Sequence, residues 1–182
     1  MKYRLLFSSV LVCSTLALSA CDSSSDSSAD VNSIKILDGK ASIVLPEGYK
    51  KMPDEMLVKK YDKAQRPKEA WYVESEGGKV TLAFSMTASP MKETQLPDFA
   101  GIMKKQLSAF SPEVSEVTVN GKKMQRLQMT TPDAGNPDGG IYNVMQLSSL
   151  DGNLLITTFN STTDLKDKYS AAGVEALSSL KY

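Results

Sequence analysis

The runs Ile141-Tyr-Asn-Val-Met-Gln-Leu-Ser-Ser-Leu150 and Asn153-Leu-Leu-Ile-Thr-Thr-Phe159 stand on either side of the dipeptide Asp151-Gly152. Both runs are rich in apolar, β-branched and aromatic residues, which favour strands. Asp-Gly tolerates the positive φ angles that a two-residue hairpin turn requires. This stretch therefore predicts two antiparallel strands joined by a tight turn.

Three more dipeptides of the same kind punctuate the chain, at Asp38-Gly39, Gly77-Gly78 and Asn120-Gly121. Each lies between β-rich runs, so each predicts a further hairpin. The predicted pairs are Ile34–Leu37 with Ala41–Leu45, Trp71–Glu74 with Val80–Thr87, and Glu116–Val119 with Lys122–Thr130. Within these runs, apolar residues alternate strictly at Val80, Leu82, Phe84 and Met86, which indicates that one face of the sheet is buried.

Two segments change to the helical period, in which apolar residues recur every three or four positions. The first helix is predicted from Pro97 to Phe110, with the stripe Leu96, Phe99, Met103, Leu107 and Phe110 packed on the sheet. The second, at the C-terminus, carries the stripe Leu165, Tyr169, Ala172, Ala176, Leu177 and Leu180. A shorter candidate spans Pro53–Lys63. Together these elements predict an α+β fold, an antiparallel sheet of hairpin-connected strands flanked by helices.

The N-terminus reads as a bacterial lipoprotein signal. Lys2 and Arg4 form a short basic region, and residues 5–18 are mostly apolar. Leu18-Ser19-Ala20-Cys21 then has the pattern of a lipobox, the motif at which such a signal is cut and its cysteine lipidated. This apolar run of 14 residues is shorter than the roughly 20 that a permanent membrane-spanning helix needs. We expect residues 1–20 to be a signal peptide, cleavage between Ala20 and Cys21, and lipidation of Cys21. The alternative is an ordinary signal cut after Ala20, with Cys21 incidental.

Lipidation would give Cys21 a diacylglyceryl group on its thiol and an acyl chain such as palmitate on its new amine, enough for stable anchoring. In enteric-type bacteria, an aspartate directly after this cysteine retains a lipoprotein in the inner membrane. Asp22 therefore predicts the inner membrane, facing the periplasm, and the outer membrane if that rule does not apply in the host. Residues 21–33, rich in Ser and Asp, are expected to form a disordered tether with a reach of about 20 Å. Residues 34–182 are expected to form one globular domain.

Composition argues against several classes of site. The sequence contains no histidine, and its two cysteines are Cys13, within the signal, and Cys21. Without Lys2 and Arg4, 19 basic residues face 21 acidic ones, so no basic excess points to nucleic acid. Asp133, Asn136 and Asp138 do not have the spacing of a calcium loop. We expect no metal, no cofactor, no nucleic acid and no enzymatic activity, since no nucleophile elbow or phosphate loop occurs either.

Methionine is unusually frequent, with nine residues in the sequence. Core filling is the default interpretation, because the thioether side chain adapts to irregular gaps. Some methionines instead fall in or beside predicted loops and, together with two aromatic residues, could line an adaptable partner-binding groove. That candidate set is Met52, Met56, Trp71, Tyr72 and Met91.

Three short segments carry a resemblance to a known family. They are Ile36-Leu-Asp-Gly-Lys-Ala-Ser-Ile-Val-Leu-Pro46, Gly121-Lys-Lys-Met-Gln125 and Gly152-Asn-Leu-Leu155. With the lipobox and tether, the chain resembles the DcrB family of envelope lipoproteins. The resemblance implies a PsbP/Mog1-like α/β sandwich and a role in infection by certain phages, at adsorption or DNA entry. More distant members of the same domain class act as chaperones for secreted effectors. The resemblance carries no catalytic motif.

From these observations we expect a lipid-anchored binding or scaffolding module that supports envelope integrity. Its expected partners are the membrane, through the N-terminal lipid, and another envelope protein. One alternative is a chaperone-like module for secreted or membrane proteins. Another is a periplasmic hydrolase that uses Ser/Lys or paired carboxylates, which would need a cleft where two or three ionisable groups converge.

Overall fold

The computed structural model describes residues 33–182 of the chain. The predicted signal peptide (1–20), the lipidation site Cys21, the sorting residue Asp22 and nearly all of the tether lie outside the described residues. Ser33, the last residue of the predicted tether, is the first residue of a strand. No helix within the described range is long and apolar enough to cross a membrane.

Within residues 33–182, nine strands form two antiparallel sheets. The small sheet pairs β1 (Ser33–Ile36) with β2 (Ala41–Val44). The large sheet has seven strands in the order β3-β4-β5-β9-β8-β7-β6. Its members are β3 (Tyr49–Lys51), β4 (Glu69–Val73), β5 (Val80–Pro90), β6 (Glu113–Val119), β7 (Lys122–Asp133), β8 (Asn136–Leu150) and β9 (Asn153–Thr162). This architecture confirms the predicted α+β class.

Two of the four predicted tight turns are two-residue turns. Val119 pairs with Lys122 and Leu150 with Asn153, so only Asn120-Gly121 and Asp151-Gly152 lie between the strands. All four turn residues have positive φ, as the Asn/Asp-Gly chemistry requires. The other two connections are longer. Four residues join β1 to β2, and six residues that include a 3-10 turn join β4 to β5.

The described part of the chain contains three α-helices, each close to its predicted place. They are α1 (Asp54–Lys60), α2 (Leu96–Gln106) and α3 (Lys166–Ser178). α1 ends before the predicted Lys63, and α2 gives way at Leu107 to a separate 3-10 turn over Ser108–Phe110. The second predicted stripe is confirmed at its C-terminal end, where Ala176, Leu177 and Leu180 are buried.

Both faces of the large sheet are covered. One face, which we call the α3 face, packs against α3 and the β1–β2 hairpin around a core that includes Leu82, Phe84 and Phe159. The opposite face, which we call the α1/α2 face, is covered in two places. α2 packs over Leu127 and Leu147 in the β6–β8 half and over Leu154 of β9, while α1 packs over Ala70 and Ala83 in the β4–β5 half. The sheet between the two helices is left with a partly open surface.

The apolar stripe of α2 packs on the sheet, but its side chains are less buried than the helical period predicts. Leu96 and Ala100 are buried, whereas Phe99, Met103, Leu107 and Phe110 are only partly buried against the same cluster. The helix ends before Phe110, so that ring approaches the sheet from the 3-10 turn and not from the helix itself.

We expect Phe99→Ala and Phe110→Ala each to lower the free energy of unfolding by about 2 kcal/mol. Full burial would give about 3–5 kcal/mol, and partial exposure reduces both the transfer and the cavity contributions. Chemical denaturation measures the loss. Ile102→Ala is the control, because Ile102 lies on the same helix but is 52% exposed, and it should change stability by less than about 0.5 kcal/mol. Equal losses at all three positions would contradict the observed packing.

Candidate functional site

A cavity of about 600 Å³ opens on the α3 face, at the edge where β4 begins. The turn between β1 and β2 forms one wall with Leu37, Asp38 and Lys40. The end of β3 and the start of β4 form another, and the outer part of β5 closes the third side. The remaining lining residues are Lys51, Lys68, Glu69, Met86, Thr87, Ala88 and Asn153. We call this site the Glu69 cavity.

An irregularity in β5 creates the opening. β5 pairs with β9 regularly up to Met86–Leu155, and pairing resumes only at Pro90–Asn153. Three residues of β5 thus lie opposite a single residue of β9, which forms a bulge. Two of the three, Thr87 and Ala88, line the cavity. Such bulges bend a strand and often lie beside functional sites.

The other side of β5 is unpaired in this region. β4 pairs with β5 only as far as Glu69–Phe84, with one further hydrogen bond from the backbone N–H of Lys68 to the carbonyl of Phe84. Among residues 33–182, no strand continues along β5 past that point on the β4 side. A strand edge without a partner is a template for pairing with another chain.

Glu69 is the most enclosed charged residue of the cavity, with 10% of its side chain exposed. Its Oε2 accepts a hydrogen bond of 3.0 Å from the backbone N–H of Leu37. Its Oε1 accepts one of 3.0 Å from Trp71 Nε1 and lies 3.4 Å from Lys51 Nζ. A buried carboxylate is tolerated when it is paired and hydrogen-bonded in this way.

The bond to Leu37 holds an unusual turn. Leu37, Asp38 and Gly39 have φ angles of 54°, 58° and 83°, three left-handed residues in succession. This conformation is rare for a bulky residue such as leucine and is costly unless the surroundings impose it. Glu69 supplies that constraint from a strand 32 positions further along the chain.

The mouth of the cavity carries charges of both signs. Lys40 Nζ is 2.9 Å from a carboxylate oxygen of Asp151, which ties the β1–β2 turn to the β8–β9 turn. In the part of the chain that the structure describes, Lys68 and Asp38 form no ion pair. The mouth therefore offers one unpaired ammonium and one unpaired carboxylate above an apolar floor that includes Leu37 and Met86.

The groove predicted from Met52, Met56, Trp71, Tyr72 and Met91 does not exist as one site. Trp71 and Tyr72 are neighbours on β4, so their side chains point to opposite faces of the sheet. Trp71 packs on the α3 face, while Met52 and Tyr72 pack beneath α1 and Met56 lies on α1 itself. Met91 belongs to the cluster beneath α2.

Two of these methionines are also buried. Met52 and Met91 are 3% and 8% exposed, so neither can contact a partner at the surface. Their role is the core filling that methionine usually performs. Of the predicted set, only Trp71 contributes to the Glu69 cavity, through its hydrogen bond to the carboxylate.

Sequence reasoning missed Glu69, although a signal was present. Glu69, Trp71 and Val73 share one face of β4, and the latter two pack against the core. A charged residue at an inward position of an otherwise apolar alternation needs a buried partner, and so marks a place worth attention. Among residues 33–182, no group of three or more acidic, Cys or His side chains could hold a metal ion.

Comparisons with known proteins place the fold but not the family. No family model and no curated protein matches the chain. Cyanobacterial PsbP from Synechocystis superposes with a TM-score of 0.54 at 12% identity, over 85% of this chain and 95% of that chain. A Bacteroides thetaiotaomicron protein gives a TM-score of 0.52 at 9% identity, over 82% of this chain and 47% of its own. The Ran-binding protein Mog1p of Saccharomyces cerevisiae gives 0.46 at 10% identity, over 82% and 93%. The fold is PsbP-like, as the resemblance implied, and the match to cyanobacterial PsbP carries that statement.

Proposed function

We propose that this chain is a lipid-anchored, non-catalytic binding module of the bacterial cell envelope, of the DcrB type. The observation that carries the proposal is the Glu69 cavity beside the unpaired edge of β5. The lipobox at Cys21 and the tether behind it hold the domain at the membrane, and the cavity provides the docking surface.

The expected ligand is an extended segment of another envelope protein. Such a segment can add to the free edge of β5 through main-chain hydrogen bonds, while neighbouring pockets take alternate side chains. The floor of Leu37 and Met86 suits an apolar side chain, and the ammonium of Lys68 suits an acidic one. Tethering raises the effective concentration of the domain toward membrane-bound partners, so a modest intrinsic affinity suffices.

The state of Glu69 favours binding over catalysis. A general acid or base must be able to exchange a proton with a substrate within hydrogen-bond reach. Both oxygens of Glu69 already accept hydrogen bonds from within the domain, from Leu37 N–H and Trp71 Nε1–H. This carboxylate therefore serves to hold the turn and the cavity wall. The other carboxylate of the cavity, Asp38, is exposed at the mouth, whereas the hydrolase alternative would need two or three ionisable groups converging in an enclosed cleft.

Photo-crosslinking in intact cells tests the proposal. Ala88 is exposed and lines the cavity, and Ala171 is exposed on α3 away from it. Benzoylphenylalanine at position 88 should give a discrete adduct with an envelope protein, while the same group at position 171 gives none. Adducts of the same proteins at both positions would refute a specific docking site. Loss of function in a folded, correctly anchored Glu69→Gln variant that still forms the adduct would favour the enzymatic alternative.

Lipidation of Cys21 is tested separately. Cys21→Ala should abolish incorporation of a fatty-acid probe, because the sulfur that would carry the diacylglyceryl group is removed. Cys13→Ala is the matched control, since Cys13 lies in the segment expected to be cleaved, and it should label normally. Undiminished label on the Cys21→Ala protein would overturn the assignment.

We expect Asp22 to retain the protein in the inner membrane. In an enteric-type host, Asp22→Ser should move the protein from the inner-membrane to the outer-membrane fraction, because the retention signal is gone. Density-gradient fractionation reads out the change. An outer-membrane position of the unaltered protein in such a host would count against the role of Asp22.

A further inference from the structure

A second cavity, of about 330 Å³, lies on the α1/α2 face of the sheet. Lys60 and Tyr61 at the end of α1 form one wall, and Asp133 at the end of β7 forms the other. Its rim includes Gly77, Gly78 and Lys79 ahead of β5, and its floor is the sheet itself, with Thr81, Ile141, Asn143, Asn160 and Thr162. We call this site the polar cleft.

Its floor is polar where a covered sheet face is normally apolar. Thr81 of β5, Asn160 of β9 and Asn143 of β8 stand opposite one another in register and form a row across three strands. Asn143 Nδ2 donates to Thr131 Oγ1 at 3.1 Å and to the carbonyl of Ile141 at 2.7 Å. The Asn143 amide is thus oriented with its donors engaged inside the protein, which leaves its oxygen as an acceptor for other groups.

One buried acceptor of the cleft floor has no partner in the described part of the chain. Asn160 Oδ1 is buried and accepts no hydrogen bond within residues 33–182, while Asn160 Nδ2 lies 3.5 Å from Thr81 Oγ1. Leaving a buried polar atom without a partner costs about 1–3 kcal/mol, so this oxygen favours a polar occupant.

The charged groups of the cleft are of both signs. Lys60 Nζ donates to the carbonyl of Gly78 at 2.9 Å. Burial lowers the pKa of Lys60, and the nearby carboxylate of Asp133 opposes that shift. Asp133 itself accepts a hydrogen bond of 2.8 Å from the N–H of Gly135. Lys60 and Lys79 attract an anion and Asp133 repels one, so the cleft presents both cationic and anionic groups to its ligand.

We propose that the polar cleft binds a neutral sugar. Its lining interleaves donors, the ammonium groups of Lys60 and Lys79, with acceptors, the amide oxygens of Asn143 and Asn160. A sugar hydroxyl both donates and accepts, so neighbouring hydroxyls match such an arrangement with no net charge. The ring of Tyr61 and the side chain of Ile141 provide apolar surface for the C–H groups of a sugar. The volume is at the lower end of the range for small-molecule sites, which suits one or two sugar rings.

Nuclear magnetic resonance titration of the full domain tests this proposal with glucose, N-acetylglucosamine and maltose as probes and inorganic phosphate as the competing ligand. At least one sugar should shift the side-chain amide signals of Asn143 and Asn160 in a saturable way. The amide of Asn153, which lines the Glu69 cavity, is the internal control and should not move.

Two variants sharpen the test. Asn143→Ala should weaken sugar binding about tenfold or more, since it removes an oriented acceptor. If that variant folds poorly, Lys79→Trp replaces an exposed rim residue and should block the mouth without lowering the melting temperature. The absence of saturable shifts with all three sugars would overturn the proposal, as would saturable binding of phosphate alone or binding that survives Lys79→Trp unchanged.

Discussion

Gly173→Ala is expected to lower the free energy of unfolding by about 2–3 kcal/mol, although alanine is normally the better helix former. Gly173 lies within α3 and is buried against the ring of Phe159. A Cβ at this position would overlap the ring carbons Cδ2, Cε2 and Cγ of Phe159. That ring is fully buried and meets Tyr142 edge to face, with 6.5 Å between the ring centroids, so it has little room to withdraw. Overpacking of this kind costs about 1–3 kcal/mol or more and outweighs the helix gain of roughly 1 kcal/mol.

The matched control is Gly101→Ala. Gly101 lies within α2, and a Cβ built there meets nothing within 4 Å. Only the helix propensity then changes, so this variant should gain up to about 1 kcal/mol. Denaturant unfolding should therefore give changes of opposite sign for the same chemical substitution. Adding Phe159→Leu to the Gly173→Ala variant should recover part of the loss, because the two residues are in direct contact. A gain in stability at both glycines would show that α3 does not lie on Phe159 as described.

Glu69→Leu is expected to destabilise the domain by about 3 kcal/mol. The change leaves the buried N–H of Leu37 and the indole N–H of Trp71 without an acceptor. Hydrogen bonds to a charged acceptor contribute about 1.5–3 kcal/mol each. Trp71 is only partly buried and can turn toward water, which keeps the total below the sum of the two. Glu69→Gln retains a carbonyl oxygen and should lose less.

The control for Glu69 is Glu74, which lies in the 3-10 turn after β4 and pairs with Lys50. The side chain of Glu74 is 58% exposed, against 10% for Glu69. An exposed ion pair contributes only about 0–1 kcal/mol, so Glu74→Leu should be nearly neutral. Hydrogen exchange at the amide of Leu37 adds a local readout, and it should accelerate in Glu69→Leu only. Losses of similar size at Glu69 and Glu74 would mean that the carboxylate does not hold the left-handed turn.

Local chemistry made part of the fold predictable from sequence. The turns at Asn120-Gly121 and Asp151-Gly152 depend only on the φ preferences of two adjacent residues, and both are two-residue turns in the structure. Helical and strand periods likewise place α2, α3 and β5 close to their predicted positions, because each depends on near neighbours in the chain.

Long-range contacts were not predictable in the same way. The short edge strand β3 has no internal pattern and exists only because Tyr49–Lys51 pairs with β4. The bulge in β5 becomes visible only against the register of β9. The Glu69 cavity depends on both of these and on the β1–β2 turn, so the sequence could indicate an unusual Glu69 but not what it touches. The predicted methionine groove failed because loop-like local sequence does not reveal burial.

The central claim is that a partner segment docks at the Glu69 cavity along the free edge of β5. Its most direct test is the adduct yield from benzoylphenylalanine at position 88, measured in cells after reversing a single charge. Lys68→Glu removes the unpaired ammonium at the mouth, and Lys104→Glu makes the same change on the exposed surface of α2. With both proteins equally abundant and equally stable, the account predicts that Lys68→Glu lowers the yield at least about fivefold, roughly 1 kcal/mol of binding free energy, while Lys104→Glu leaves it unchanged. Equal yields from the two variants would contradict it.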